Sequence, residues 1–204
     1  MRHRRKGRVL GRSPSHRKAM FRNLASAIML TEFDFEADAE RRGKAAPDNL
    51  PKIKGRIVTT ISKAKEIRPL VEKCVTIARD ALVHKEQADK LGPNAERNTE
   101  AWITWRKSKK WNEWNQAMAP VVAARRRCLR MLGDKRAVRA LFDTIAPRFA
   151  DRDGGYTRIM RLAKPRLGDA GTRAILEFVG VRDRGGVGRA ESPSFEGDKA
   201  KAGV

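Results

Sequence analysis

Arg56–Ala81, RIVTTISKAKEIRPLVEKCVTIARDA, changes its period partway along, and that change sets the fold class. After Arg56 comes a β-branched run, Ile57 to Thr60, that predicts a short strand. Thr60 or Ser62 then stands where a helix N-cap belongs. Beyond it Ala64, Ile67, Val71, Cys74, Ala78 and Ala81 recur at spacings of three and four, with Leu70 and Ile77 beside them. That is a core-facing helical stripe. Pro69 lies within it, so the helix either kinks there or begins just before it.

Two more β signals lie downstream. Roughly Tyr156–Ala163 and Thr172–Val179 are strand-like, and the loop between them holds Pro165 and Gly168–Gly171. Such a pair predicts a hairpin, to which the Ile57–Val58 strand adds. Between these β regions, Pro120 opens a helix whose Val121, Cys128, Leu129 and Leu132 face inward. Gly133 suits its C′ position, and Asp134 suits the N-cap of the next helix. There Val138, Leu141, Phe142 and Ile145 form an apolar face, and Pro147 ends it. The whole reads as α+β: several helices packed against a small three-stranded mixed sheet.

The N-terminus is densely basic, and the rest of the charge surplus belongs to the helical and hairpin body. Up to Arg22 it holds Arg2, Arg4, Arg5, Lys6, Arg8, Arg12, Arg17, Lys18 and Arg22 without one acidic residue. Gly7 and Gly11 interrupt the arm, which has little reason to fold alone. Ser13–Pro14 starts a helix, with Pro at the first helical position. Met20, Leu24 and Ile28, widened by Phe21 and Ala25, give that helix a core stripe. Its other face suits a polyanion.

Two stretches break the pattern. Residues 33–55 alternate acids and then balance them with bases, which predicts a solvated surface insertion or a contact to another basic protein. Residues 85–118 hold all four tryptophans, Trp102, Trp105, Trp111 and Trp114. On one straight helix the two pairs would point to nearly opposite sides. Either two partners are met or the helix breaks near Ser108. The insertion then has its own mini-core, docks to a neighbour, or stacks on bases. From about Arg182 the chain is rich in Gly, Ser, Pro and mixed charge, which predicts disorder. The organisation is a basic arm (1–12), one α+β domain (13–184) and a flexible tail (185–204).

The chain has 46 Lys and Arg against 24 Asp and Glu, a formal charge of +22 and a pI near 11.0. Such a surface concentrates phosphate polymers and points to nucleic acid. No apolar run approaches the ~20 residues that cross a bilayer, and the basic N-terminus lacks the apolar segment of a secretory signal. Cys74 and Cys128 fall in apolar patterns and read as buried free thiols of a reducing compartment. With His3, His16 and His84 and no CxxC, no metal-ligand spacing is present. Asp151, Asp153 and Asp169 occupy ordinary turn positions. No paired acids, Ser/His/Asp set or phosphate loop stands out, so neither enzyme chemistry nor a cofactor or small-molecule substrate is expected.

Several ordered motifs carry a family resemblance. MRHRRKGRVLGRSPSHRKAMFRNLASAI, T60-I-S-K-A-K-E-I67, L141-F-D-T-I-A-P-R-F-A150, G154-G-Y-T-R-I159, R166-L-G-D-A170 and A174-I-L-E-F178 resemble the bacterial large-subunit ribosomal protein L-seventeen family. The likeness spans residues 1–32, 56–84 and 119–184, and departs from the family at Pro69. It implies helices on one side of a small sheet with an N-terminal extension. It also implies a cytoplasmic structural component of the large subunit, bound to rRNA near the peptide exit region. Neighbouring proteins L-thirty-two and L-twenty-two are implied as partners. The competing expectation is a free-standing basic nucleic-acid-coating protein or RNA chaperone.

The expected rRNA contacts fall in two groups. In the first, Arg2, Arg4, Arg5, Lys6, Arg8, Arg12, Arg17, Lys18 and Arg22 neutralise phosphates. Ser13, Ser15 and the adjoining helix start offer backbone N–H groups. His3 and His16 hydrogen-bond or stack. The second group is Arg148, Arg152, Tyr156 and Arg158, with Gly154 and Gly155 letting the backbone approach a sugar-phosphate chain closely, or serving only the turn.

Overall fold

The computed structural model describes residues 7–43, 45, 50, 51, 53–93 and 95–180. Residues 1–6 and the tail 185–204, with the expectations placed on them, lie outside that set. In chain order the elements are α1 (Pro14–Leu30), α2 (Phe35–Arg41), β1 (Arg56–Thr60), α3 (Ile61–Leu91), α4 (Glu100–Lys107), α5 (Lys109–Leu132) and α6 (Lys135–Ala140). A π-helical turn at Leu141–Ile145 joins α6 to α7 (Ala146–Arg148), and β2 (Thr157–Arg161) and β3 (Arg173–Phe178) close the chain.

The sheet has the order β1–β3–β2, and both pairings are antiparallel. It is therefore not the expected mixed sheet. β1 and β2 run the same way but are held apart by β3, so no parallel pair forms. Ala174, Leu176 and Phe178 alternate along β3 as its buried positions, and Ile57 and Ile159 pair with Leu176 on the same face. This inner face rests on α3.

At 31 residues α3 is the long axis of the molecule, about 46 Å at 1.5 Å per residue. Its buried positions are Ala64, Ile67, Val71, Cys74, Val75, Ala78, Ala81 and Ala88, the stripe that the sequence spells out plus Val75 and Ala88. Pro69 interrupts nothing. The helix starts at Ile61 and runs through it, because Pro69 is exposed and the Lys65 carbonyl that it leaves unbonded can meet water. Pro120 likewise lies inside α5, which starts eleven residues earlier than expected, and Pro147 lies in the last turn rather than beyond it.

α5 packs along α3, and its Cys128 Sγ reaches within 3.9 Å of the Cys74 carbonyl. Both thiols are free and buried, and the hydrogen bond with the Cys128 thiol, then burial, pushes the Cys74 thiol far above its ordinary range. At the end of α5, Gly133 takes φ +79 in the left-handed cap and donates its N–H to Leu129 at 2.8 Å. Asp134 Oδ1 then accepts the Arg136 and Ala137 N–H groups at 2.6 and 3.0 Å. α1 is pinned here too, since the buried Ser26 hydroxyl donates to the Leu132 carbonyl at 2.9 Å.

The acidic insertion is not merely solvated. α2 forms behind an Asp34 cap, and Asp38 is buried against Arg42, Arg139 and Arg136 at 3.1, 2.9 and 3.5 Å. Two of these arginines belong to α6, so the insertion docks on its own chain.

Candidate nucleic-acid interface

The described part of the basic arm crosses the molecule between α3 and α1. Arg8 Nη1 donates to the Ser62 carbonyl at 3.3 Å and lies 3.9 Å from Glu66, in the first turns of α3. Arg17, on α1, donates to the Arg8 carbonyl at 3.5 Å. Arg12 Nη1 donates to the Leu10 carbonyl at 2.7 Å, while its buried Nε has no partner. Leu10 and Gly11 have φ of +56 and +62, so the arm turns sharply before the helix begins.

At that start Ser13 has N-cap dihedrals but no side-chain cap bond, its hydroxyl lying instead 3.4 Å from that of Ser15. Pro14 follows at the first helical position, and the first turn carries no acidic residue. Ser15, His16, Lys18 and Arg22 are exposed. The N-terminal end of α1 thus presents a positive dipole end and cations to solvent.

Two open grooves flank the arm. One, of about 710 Å³, lies between α1 and the α5–α6 corner and is lined by Ser15, Lys18, Arg22 and Asn23 with Leu132–Asp134. The other, of about 730 Å³, lies between α3 and the edge strand β2, lined by Lys65, Arg68, Pro69, Glu72, Arg158 and Arg161, with Arg68 paired to Glu72 at 3.0 Å. Arg8 sits on the α3 turn next to the second groove, and Ser15 lines the first. The arm and the start of α1 thus lie beside two grooves lined in part by cations, with Glu72 in the second and Asp134 in the first.

The second expected group is not one site. Tyr156 is 1% exposed, its ring tilted against Phe149 at 5.2 Å, so it is a core residue and not a stacking platform for RNA. Arg148 is turned inward as well, donating to Glu32 Oε1 at 3.1 Å with its guanidinium over Phe149 and Phe178. A Tyr between a glycine turn and a strand looks alike in sequence whether it faces solvent or core, and only the register of β2 decides. Gly155 has φ +61, which the turn requires, and the space about both glycines is open. Arg152 Nε donates to the Gly154 carbonyl at 3.1 Å, and Arg158 Nε donates to Glu177 Oε1 at 2.5 Å.

Some residues were missed at the level of sequence. Lys65, Arg68 and Arg161 line the groove beside Arg158, and their signal was present in the polar side of the α3 stripe and the alternation of β2. Arg79 donates to the Arg152 carbonyl at 2.8 Å and to Asp153 Oδ1 at 2.9 Å, fixing the turn from across the fold. On the outer sheet face Arg56, Glu177 and Arg158 stand in register, so the carboxylate is held between two guanidinium groups. In the β2–β3 loop, Arg166 clasps Asp169 and holds its carboxyl well below the usual carboxylate range. Among the described residues no group of three or more His, Cys, Asp or Glu is placed to hold a metal ion, and no helix is long and apolar enough to cross a membrane.

A helix-backed antiparallel sheet with a basic arm beside cation-lined grooves defines a strongly basic α+β protein. The model of the family described as Ribosomal protein L17 matches residues 52–179. The chain is 60% identical over 199 residues to the large ribosomal subunit protein bL17 of Rhodopirellula baltica, covering 97% of this chain and 90% of that protein. It is 35% identical to the bL17 of Thermomicrobium roseum, covering 88% and 99% of the two chains. With the bL17 of Agrobacterium fabrum it shares 34% identity, covering 99% and 98%. The chain belongs to the ribosomal protein L17 family.

Proposed function

We propose that this protein is a structural, non-enzymatic constituent of the bacterial large ribosomal subunit in the cytoplasm, where it binds and stabilises folded large-subunit rRNA. The observation that carries the reading is the clustering of cations on the arm, along the exposed side of α1 and in the two grooves. Arg8, Arg12, Arg17, Lys18 and Arg22 meet phosphates along the arm and α1, while Ser13, Ser15 and His16 add hydrogen bonds at the helix start. Arg2, His3, Arg4, Arg5 and Lys6 extend the same chemistry beyond the described residues. Across α3, Arg158 with Lys65, Arg68 and Arg161 forms the second phosphate contact, and Arg152 with the open Gly154–Gly155 turn lies at its edge. Arg148 and Tyr156 support this surface from beneath. The family resemblance supports a place near the peptide exit region, beside proteins L-thirty-two and L-twenty-two.

Sedimentation of a native lysate on a sucrose gradient, with and without a high-salt wash, tests the reading. One copy per large subunit surviving the wash is the expected result. A spread over light fractions and chromosomal DNA would overturn it in favour of a free-standing coating protein.

A further inference from the structure

The distal part of α3, the loop that follows it, α4 and the first turns of α5 form an arm away from the sheet. No residue of α4 is buried, and the first buried residue of α5 is Val121. The helix does break at Ser108, whose ψ of 165° separates α4 from α5, and the break decides what the tryptophans do. Trp105 and Trp114 meet edge to face with centroids 5.7 Å apart, and Trp114 closes on the end of α3 at Gly92. That pair is the private packing of the arm. Trp102 and Trp111 stay half-buried, and Trp102 carries the Arg106 guanidinium on its face, 5.2 Å from the ring centroid.

Arg106 also opens the run Arg106-Lys107-Ser108-Lys109-Lys110 at the bend, where all four cations are exposed and none makes an ion pair with a described residue. Glu100 and Glu113 are the acids nearest in sequence, too few to balance four positive charges. Like charges on neighbouring turns repel, so the isolated fold gains nothing from this cluster. An acidic protein surface would need the cations alone. A guanidinium plane lying on an indole adds a flat face on which a nucleobase stacks, and lysines on either side match the phosphates flanking such a base.

We propose that the tip of this arm is a second RNA-contact point, separate from the surface between the grooves, that takes an unpaired rRNA nucleotide. The base stacks on the Arg106–Trp102 platform, and Lys107, Lys109 and Lys110 hold the adjoining phosphates. The proposal rests on the rRNA-binding reading and adds a site to it.

Because the chain has no tryptophan elsewhere, its intrinsic fluorescence reports on this arm alone. The full chain is mixed with an in vitro transcript of large-subunit rRNA. Filter retention measures binding, and acrylamide quenching measures tryptophan accessibility. The expected result is protection of the tryptophans on the bound chain. The R106E/K107E/K109E/K110E variant, its fold checked by circular dichroism, should lose that protection and bind roughly tenfold more weakly, the scale of one lost stacked base. Retention of rRNA with unprotected tryptophans, or unchanged affinity in the variant, would overturn the tip site and leave the rRNA reading standing. No retention at all would remove both. Equal protection by polyglutamate would assign the tip to an acidic protein surface and overturn the stacking role.

Discussion

Tyr156 shows how one residue changes meaning between sequence and structure. Its ring fills the core beside Phe149, and its buried hydroxyl has no hydrogen-bond partner. Removing the hydroxyl alone relieves an unsatisfied group, so Tyr156→Phe should be neutral or raise unfolding free energy by up to about 1 kcal/mol. Tyr156→Ala should lower it by about 3–5 kcal/mol, as for other large core aromatics. Urea unfolding checks both. At equal folded fraction, rRNA retention by Tyr156→Phe should match the wild type, which a hydrogen bond from the hydroxyl to RNA would not allow. Cys74 gives a residue-scale prediction with a pH sign. Its folded thiol titrates above its unfolded value, so the stability it contributes is full below the ordinary thiol range and falls as pH rises through and beyond it. Because both thiols are buried, iodoacetamide at mildly alkaline pH should leave the native chain unlabelled at Cys74 and Cys128, and modify both once urea unfolds it.

At the scale of elements, the prolines carry the lesson. A rule that stops a helix at proline puts a boundary near Pro69 and at Pro120, yet α3 and α5 run through both. The rule counts a lost hydrogen bond and a clash, and packing on the opposite face outweighs them where the proline faces solvent. Pro69→Ala restores the missing N–H, and should raise the unfolding free energy by about 1–3 kcal/mol after the greater freedom of the unfolded chain is subtracted. Thermal unfolding measures it, and a lower Tm would mean that Pro69 supports the groove it lines. Elements with strong local chemistry were legible: β1 from its β-branched run and the Gly133–Asp134 junction from its cap residues, while the facing of the tryptophans left a break near Ser108 as one of two alternatives, the one found. The docking of α2 was not legible. Asp38 finds its arginine partners about a hundred residues away on α6, and no local period encodes such a pairing. The same holds for Arg79 and Arg148, whose partners come from distant turns.

At the scale of the whole molecule, charge and core divide the chain cleanly, and that division makes the interface testable without disturbing the fold. The buried cluster runs from Ala25 on α1 through α3, α5 and α6 to β3, and includes no described residue of the basic arm. Beyond the bond that the Arg8 carbonyl accepts from Arg17, the described arm is held on α3 through Arg8 by one carbonyl bond and a long ion pair to Glu66. Both are exposed contacts of the kind worth at most about 1 kcal/mol, so the arm is free to exchange them for phosphates. Reversing Arg4, Arg5 and Arg8 to Glu should leave the urea midpoint of the isolated chain unchanged within error. The same variant should enter large subunits poorly and leave them at lower salt. Its affinity for rRNA should also lose salt dependence, the log–log slope shrinking by about 0.7–0.9 for each phosphate contact removed. Occupancy on salt-washed subunits equal to wild type, with an unchanged slope, would mean that the arm is only a solvated tail and that the grooves hold the RNA without it.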